Sequence, residues 1–264
     1  MNLQRYVRTP HLAGSRLQPG DTAEGQLPVA SLMYGTQVWE EKLDGSNVGI
    51  SFSADADICL QSRGHYLGGG WREKQYNLLK CWANRHIDWL FDVLSSRYIM
   101  YGEWCYAKHT VFYDRLPHYF FEFDIYDRRD ACYLSTAARQ RLLNHGRNRA
   151  PIISVPIIHV GTLHSEADVR RLIRPSPYKS ADWRTVLTAI AGMHGIDPAQ
   201  ARRETDASDL CEGLYLKIEQ DDKVIGRYKF VRPDFLQAIL HSGSHWAKRP
   251  ILPNQLAADV DIFA

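Results

Sequence analysis

Residues 37–60 hold two stretches of strand character, QVWEEK and NVGISFS, separated only by the short polar segment Leu43-Asp44-Gly45-Ser46-Asn47. In the second stretch Val48, Ile50 and Phe52 alternate with small or polar residues, the period of a strand with one buried face. A chain built this way must form a sheet at this point and set Lys42 at the end of a strand. The segments RYIMYGEW and HYFFEFDIYD are rich in aromatic and β-branched residues and read as buried strands. Strands return at 213–219 (GLYLKIE) and 224–231 (VIGRYKFV), and an apolar run at 152–160 is interrupted by Pro156.

Helical patterns lie between these strands. Across 72–97, Tyr76, Leu79, Trp82, His86, Trp89 and Leu90 recur at three- and four-residue steps. Ser135 is expected to open a helix running through Arg139 and Leu143 to Gly146. Ser165 and Asp168 have the spacing of a capping box, and further helices are expected at 182–194 and from Asp197-Pro198. Strands and helices mix without regular βαβ alternation, which predicts an α+β fold with mainly antiparallel sheets. Pro10, Gly14, Pro19, Gly20, Gly25, Pro28 and Gly35 make residues 1–35 an irregular leader.

With 264 residues the chain can bury one large domain, with at most a small appendage. Its 32 basic and 30 acidic side chains exclude a bulk polycation, so any nucleic-acid contact must be local. No apolar run approaches the ~18 residues of a membrane-spanning helix, and MNLQRYVRTPH lacks a signal-peptide core. Cys59, Cys81, Cys105, Cys132 and Cys211 are scattered without zinc-ligand spacing and read as free thiols in a reducing compartment. The expected location is cytoplasmic, with no membrane partner.

Chemistry concentrates at Glu41-Lys42-Leu43-Asp44-Gly45-Ser46-Asn47. A lysine amine is a nucleophile only when neutral, so one with the ordinary pKa of ~10.4 needs burial or nearby cations. Arg63, Lys217 and Lys229 are candidates for those cations. By itself KxDG also reads as a hairpin turn, since Asp-Gly is a common turn pair.

Five further segments follow in order: Gln61-Ser62-Arg63-Gly64, Tyr101-Gly102-Glu103, Phe121-Glu122-Phe123-Asp124-Ile125-Tyr126-Asp127, Glu212-Gly213-Leu214-Tyr215-Leu216-Lys217 and Arg227-Tyr228-Lys229-Phe230-Val231-Arg232. With the lysine segment they resemble motifs I, Ia, III, IIIa, IV and V of the covalent nucleotidyltransferases, the ATP-dependent polynucleotide ligases and mRNA-capping enzymes. The EKxDGxN and FDIYD forms look most like the RNA ligase family. The resemblance implies a nucleotidyltransferase (ligase adenylation) domain with two mainly antiparallel sheets flanking an ATP cleft, at 36–235. A leader at 1–35 would pack on it, and 236–264 would form a short appendage without an oligonucleotide-binding barrel.

The resemblance also implies roles. Lys42 would attack the α-phosphate of ATP and hold AMP, after which AMP passes to a 5′-phosphate end and a 3′-hydroxyl displaces it. Glu41 and Asn47 would contact the nucleotide, and Arg63 its phosphate or the incoming nucleic acid. Glu103 would accept hydrogen bonds from the ribose or from Arg63, while Phe123 would stack on adenine. Glu212 would hold Mg²⁺ or Mn²⁺. Lys217 and Lys229 would bind phosphate oxygens. Each has a plainer reading: the glutamates as strand-edge carboxylates, Phe123 as core, Asp124 as structural, Lys217 as a snorkelling strand lysine.

Where many relatives have a second motif V lysine, this chain has Val231. Arg227, two residues before Lys229, shares its face, whereas Arg232 faces the other way unless a bulge before Pro233 turns it inward. The leader segment Arg8-Thr-Pro-His-Leu-Ala-Gly-Ser15-Arg16 reads either as an ordered loop or as a site where Arg8, His11 and Arg16 hold a terminal phosphate. Two basic groups, Arg139, Arg141, Arg147 and Arg149, and Arg170, Arg171, Arg174, Lys179 and Arg184, read as solvated helix faces or as phosphate contacts. His86, His109 and His118 show no paired carboxylate in the sequence. The expected partner is nucleic acid with 5′-phosphate and 3′-hydroxyl ends, RNA before DNA, with an end-healing kinase or phosphatase as a possible companion. A minimal ATP-dependent DNA ligase and a non-catalytic nucleotide-binding module are the alternatives.

Overall fold

The computed structural model describes residues 3–17, 21, 26–144, 152–235 and 250–264, and only the backbone of Trp71 and Arg72. The strands are β1 (Thr36–Lys42), β2 (Ser46–Phe52), β3 (Ile58–Ser62), β4 (Tyr98–Trp104), β5 (Phe120–Asp127), β6 (Cys132–Leu134), β7 (Ile153–Ser154), β8 (Ile157–Val160), β9 (Gly213–Gln220) and β10 (Lys223–Val231). Among the described residues they join into one ten-stranded sheet, ordered β3-β2-β4-β5-β6-β10-β9-β1-β8, with β7 added beside β5. Every pairing is antiparallel except that of β5 with β7. The expectation of two separate sheets is therefore corrected to one sheet with two halves. Three-residue β6 makes the join, pairing Tyr133 with Tyr126 of β5 on one side and with Val224 of β10 on the other.

A second correction concerns the segment after Lys42. β1 pairs with β8 and β9, and β2 with β3 and β4, so the Leu43–Gly45 stretch is no hairpin turn. It crosses from one half of the sheet to the other, and Lys42 stands at that crossing.

Each half has its own core because alternation puts one set of apolar side chains on each inner face. Val48, Ile50 and Phe52 of β2 pack with Leu79 and Trp82 of α1 (Asn77–Arg85) and Leu90 of α2 (Ile87–Leu94). The single helix expected across 72–97 is a 3₁₀ segment (Trp71–Tyr76) and two α-helices, broken where His86 leaves helical geometry at φ −109° and ψ 21°. In the other half Trp39, Leu214, Leu216, Ile218 and Phe230 pack with Leu12 of the leader and Val169 of α4 (Glu166–Arg171). Ser165 and Asp168 complete the expected capping box on α4.

Ser135 caps α3 (Thr136–Leu143) through Ala138 N, while the expected stop at Gly146 lies outside the described residues. α5 (Trp183–Met193) and α6 (Pro198–Arg203) bury Trp183, Leu187 and Ala201 with Phe112 and Leu252. Residues 250–264 return to the body of the protein, where buried Asn254 accepts from Tyr113 N and donates to the Cys105 carbonyl. All five cysteines are free. No helix among the described residues is long and apolar enough to cross a membrane.

Candidate active site

The crossing opens into a cleft of about 960 Å³, within the range of ligand pockets. β1 ends at Lys42 opposite Gly213 of β9, which sets Glu212 beside it, and Lys42 Nζ donates to Glu212 Oε2 at 2.7 Å. The link is held tightly. Asp44 Oδ2 accepts from the backbone of Thr110 and Val111, both at 2.7 Å, and Asp44 N donates to Tyr113 Oη. A Cβ at position 45 would come within 2.7 Å of the Trp104 carbonyl, so only glycine fits there. The close approach lets Gly45 N donate to Glu103 Oε1 at 3.0 Å.

Lys42, Glu41, Glu103 and Glu212 all line this cleft, together with Asn47, Arg63, Phe123 and Lys229. Asn47 stands opposite Glu103 across β2 and β4, and Lys229 opposite Tyr215 across β10 and β9. Burial pushes the carboxyls of Glu41, Glu103 and Glu212 up to about 7, although Lys42 opposes the shift at Glu103 and Glu212. Burial also pulls Lys42 down, but Glu212 and Glu103 outweigh it and its ammonium ends above the ordinary lysine value. The expectation that neighbouring cations lower this amine is therefore corrected: its nearest charged partner is a carboxylate. Lys229 moves the other way, lowered first by burial and then by Lys42.

Lys217 does not line the cleft. It is fully buried, with its Nζ 2.8 Å from Glu40 Oε2 and 3.2 Å from Asp124 Oδ1, and it donates to the Phe123 carbonyl. Neither the phosphate role nor the snorkelling alternative describes this arrangement, because no part of the side chain reaches solvent. Asp124 is its structural partner and also takes Arg227 Nη1 at 3.3 Å. Arg227 and Arg232 both stay off the cleft wall: Arg227 lies over the Tyr133 ring, and Arg232 is buried against Asp206, Asp234 and the Cys211 carbonyl.

Arg139 is likewise no surface contact. It is buried between Glu122, at 2.6 Å, and Glu40, at 2.9 Å. Arg141 pairs with Asp222, and Arg147 and Arg149 lie outside the described residues. In the second basic group Arg170 and Arg171 pair with Glu166 and Asp168, Arg184 pairs with Asp209, and Lys179 is buried over the Trp183 ring.

Of the leader, Arg8 reaches the cleft, as do Tyr6, Thr9 and Asp21. His11 is buried against Ser15 and Asp21, and Arg16 donates to the Pro233 carbonyl. Tyr6 donates to Asp124 and packs edge-on against Phe123 at 5.3 Å, so the leader forms one wall around the Phe123 ring. His109 is another unexpected neighbour: its ring lies 4.0 Å from Asp44 and 3.3 Å from Ser46 Oγ at the cleft wall, held neutral by burial. Its carboxylate partner comes from 65 positions earlier in the chain, beyond the reach of local spacing. His86 and His118 pack against Trp82, His118 buried and His86 partly exposed.

A family model described as RNA ligase matches residues 35–231. Among solved structures, a ligand-free mutant of Naegleria gruberi RNA ligase superposes with a TM-score of 0.51 at 19% identity, covering 80% of this chain and 52% of that one. The same protein with pyrophosphate gives 0.51 at 18%, covering 88% and 62%. A mutant with ATP and manganese gives 0.51 at 17%, covering 87% and 61%. The chain thus spans between about half and three-fifths of these structures, and the likeness is one of fold. No curated protein matches the chain. The family match takes in every strand from β1 to β10, and with it Lys42, Glu212 and the crossing between them: this chain belongs to the RNA ligase family.

Proposed function

We propose that this chain is an ATP-dependent RNA ligase that joins 3′-hydroxyl and 5′-phosphate ends through a lysyl-AMP intermediate. The observation that carries the reading is the Lys42–Glu212 pair at the crossing of the two sheet halves, inside a cleft large enough for a nucleotide. The ATP, manganese and pyrophosphate in the Naegleria gruberi structures support the same chemistry.

In the first step Lys42 Nζ attacks the α-phosphorus, an N–P bond forms, and pyrophosphate leaves with the electrons of the broken P–O bond. The amine must first lose a proton. Glu212, 2.7 Å away and with a carboxyl raised to about 7, is the group placed to take it. Phe123 offers its ring to adenine, and Lys229 and Arg63 offer cations to phosphate oxygens. Buried Glu41 keeps its Oε1 without a hydrogen-bond partner, an acceptor suited to a nucleotide donor. AMP then passes to a 5′-phosphate end, and a 3′-hydroxyl displaces it.

Among the described residues no group of three or more His, Cys, Asp or Glu side chains forms a metal cage. Glu212 is a hard oxygen donor, and its Oε1, the oxygen that does not face Lys42 Nζ, would hold magnesium or manganese together with substrate phosphates. Such an ion would supply neutralisation of phosphate charge. RNA repair in the cytoplasm, alongside a separate end-healing kinase or phosphatase, is the setting we assign. The test is sealing of nicked duplexes with a 3′-terminal ribose or deoxyribose and a 5′-phosphate. Faster sealing at the ribose end is expected, and sealing confined to all-DNA nicks would overturn the RNA assignment.

A further inference from the structure

The leader and β10 share a hydrogen-bonded path that begins and ends on the same strand. Residues 10–12 lie along β10 at Lys229, with Lys229 N donating to the Pro10 carbonyl at 3.0 Å and Leu12 N to the Lys229 carbonyl at 2.9 Å. Two residues on, Val231 N donates to Ser15 Oγ at 2.8 Å. Ser15 Oγ lies 2.6 Å from His11 Nδ1, and His11 Nε2 lies 2.8 Å from Asp21 Oδ2. The other Asp21 oxygen stands 3.7 Å from Lys229 Nζ.

The proton positions follow from the partners. His11 is buried, and burial and Lys229 lower its pKa, so the ring is neutral and carries one N–H. A carboxylate only accepts, so that N–H sits on Nε2 and points at Asp21. Nδ1 is then an acceptor for the Ser15 hydroxyl, whose oxygen receives Val231 N–H. The run of donors is continuous from the β10 backbone to Asp21.

We propose that Ser15, His11 and Asp21 form a positioning relay that fixes the Lys229 ammonium, as a cation, in the cleft; this rests on the nucleotide-binding reading above. The leader is then part of the phosphate site rather than a loop laid over it. Lys229 needs such a partner because the charged groups facing it are mixed: Lys42 and Arg63 oppose its charge, while Glu212 and Asp21 favour it, and burial adds to the opposition. Glu212 is already taken up by Lys42. At 3.7 Å the Asp21 oxygen attracts the ammonium without using up its three donors, which stay available to a phosphate. Asp21 is a positioning residue in this account, not a catalytic one.

The test is calorimetric binding of α,β-methylene-ATP, which cannot transfer AMP, to the full chain across neutral and alkaline pH. The wild-type protein, Asp21→Asn and Asp21→Glu are compared. Asparagine keeps the size and a hydrogen-bonding oxygen but removes the charge. The expected result is that the alkaline loss of affinity moves about one pH unit lower in Asp21→Asn and returns in Asp21→Glu. Superimposable profiles would overturn the relay, and so would an equal loss at every pH, which is what a purely structural role gives. If Asp21→Asn does not fold, His11→Asn, which severs the relay one step earlier, should move the profile in the same direction. Wild-type protein that binds no analogue removes the nucleotide reading and the relay with it. Wild-type binding with an unmoved Asp21→Asn profile removes the relay alone.

Discussion

Two charge clusters lie on one face of the same strands and differ only in depth. At the cleft, Lys42 on β1 pairs with Glu212 and Lys229 on β10 stands 3.7 Å from Asp21. Further along the same strands, Glu40 of β1, Lys217 of β9 and Arg227 of β10 meet Asp124 and Arg139 behind the Phe123 and Tyr215 rings. The register makes this explicit: Lys229 pairs with Tyr215 and Arg227 with Lys217, one alternation deeper. Both clusters mix basic groups with carboxylates, yet in one Lys217 and Arg139 are buried against their carboxylate partners, whereas in the other both lysines line the cleft. A motif read along a strand identifies the face a side chain occupies, and its depth depends on what covers it.

Removing a member of the closed cluster should have the largest effect on folding. Lys217→Met leaves Glu40 and Asp124 short of a buried cation and is expected to destabilise the protein by about 3–5 kcal/mol, measured by denaturant unfolding. Lys42→Met, at the open end, is expected to cost less, because Glu212, already raised to about 7, takes up a proton when the cation is removed. Equal losses would erase the distinction between the clusters. Phe123 stands between them, and Phe123→Ala should weaken ATP binding by about 1–3 kcal/mol if the ring stacks on the base, read by calorimetry.

The last expected effect is on the pH dependence of stability. Glu41, Glu103 and Glu212 have folded-state values raised to about 7, so their contribution is full below the unfolded range near 4.5 and is lost as pH rises through 7. Asp124 behaves oppositely, its value lowered because Lys217, Arg227 and Arg139 overcome burial, so its contribution is lost on acidification. The melting temperature of the ligand-free protein should therefore fall between mildly acidic and neutral pH. Glu103→Gln should flatten that fall, and an unchanged slope would count against a buried, ligand-poised Glu103.

Much of the fold was legible because its strands are long enough to show their period, from QVWEEK in β1 to VIGRYKFV in β10. What escaped was short or distant. β6 has three residues, too few to display alternation, yet it merges the halves into one sheet. Asp-Gly after Lys42 has the composition of a turn, and only the pairing partners of β1 and β2 reveal a crossing. At the site, the resemblance of the ordered motifs to those of RNA ligases brought out Lys42, Glu103 and Glu212. It could not reveal that Asp44 meets His109, that Tyr6 backs Phe123, or that Lys217 and Arg139 are sealed, because those contacts join segments dozens of residues apart.

The central claim is that the lysine at the crossing is the nucleophile and the sealed lysine is scaffold. Intact mass of the protein before and after ATP with magnesium, followed by peptide mapping, tests it directly. The account predicts a gain of one AMP on Lys42, absent in Lys42→Ala and reversed by pyrophosphate. An adduct on Lys217 or Lys229, or a normal adduct in Lys42→Ala, would contradict it.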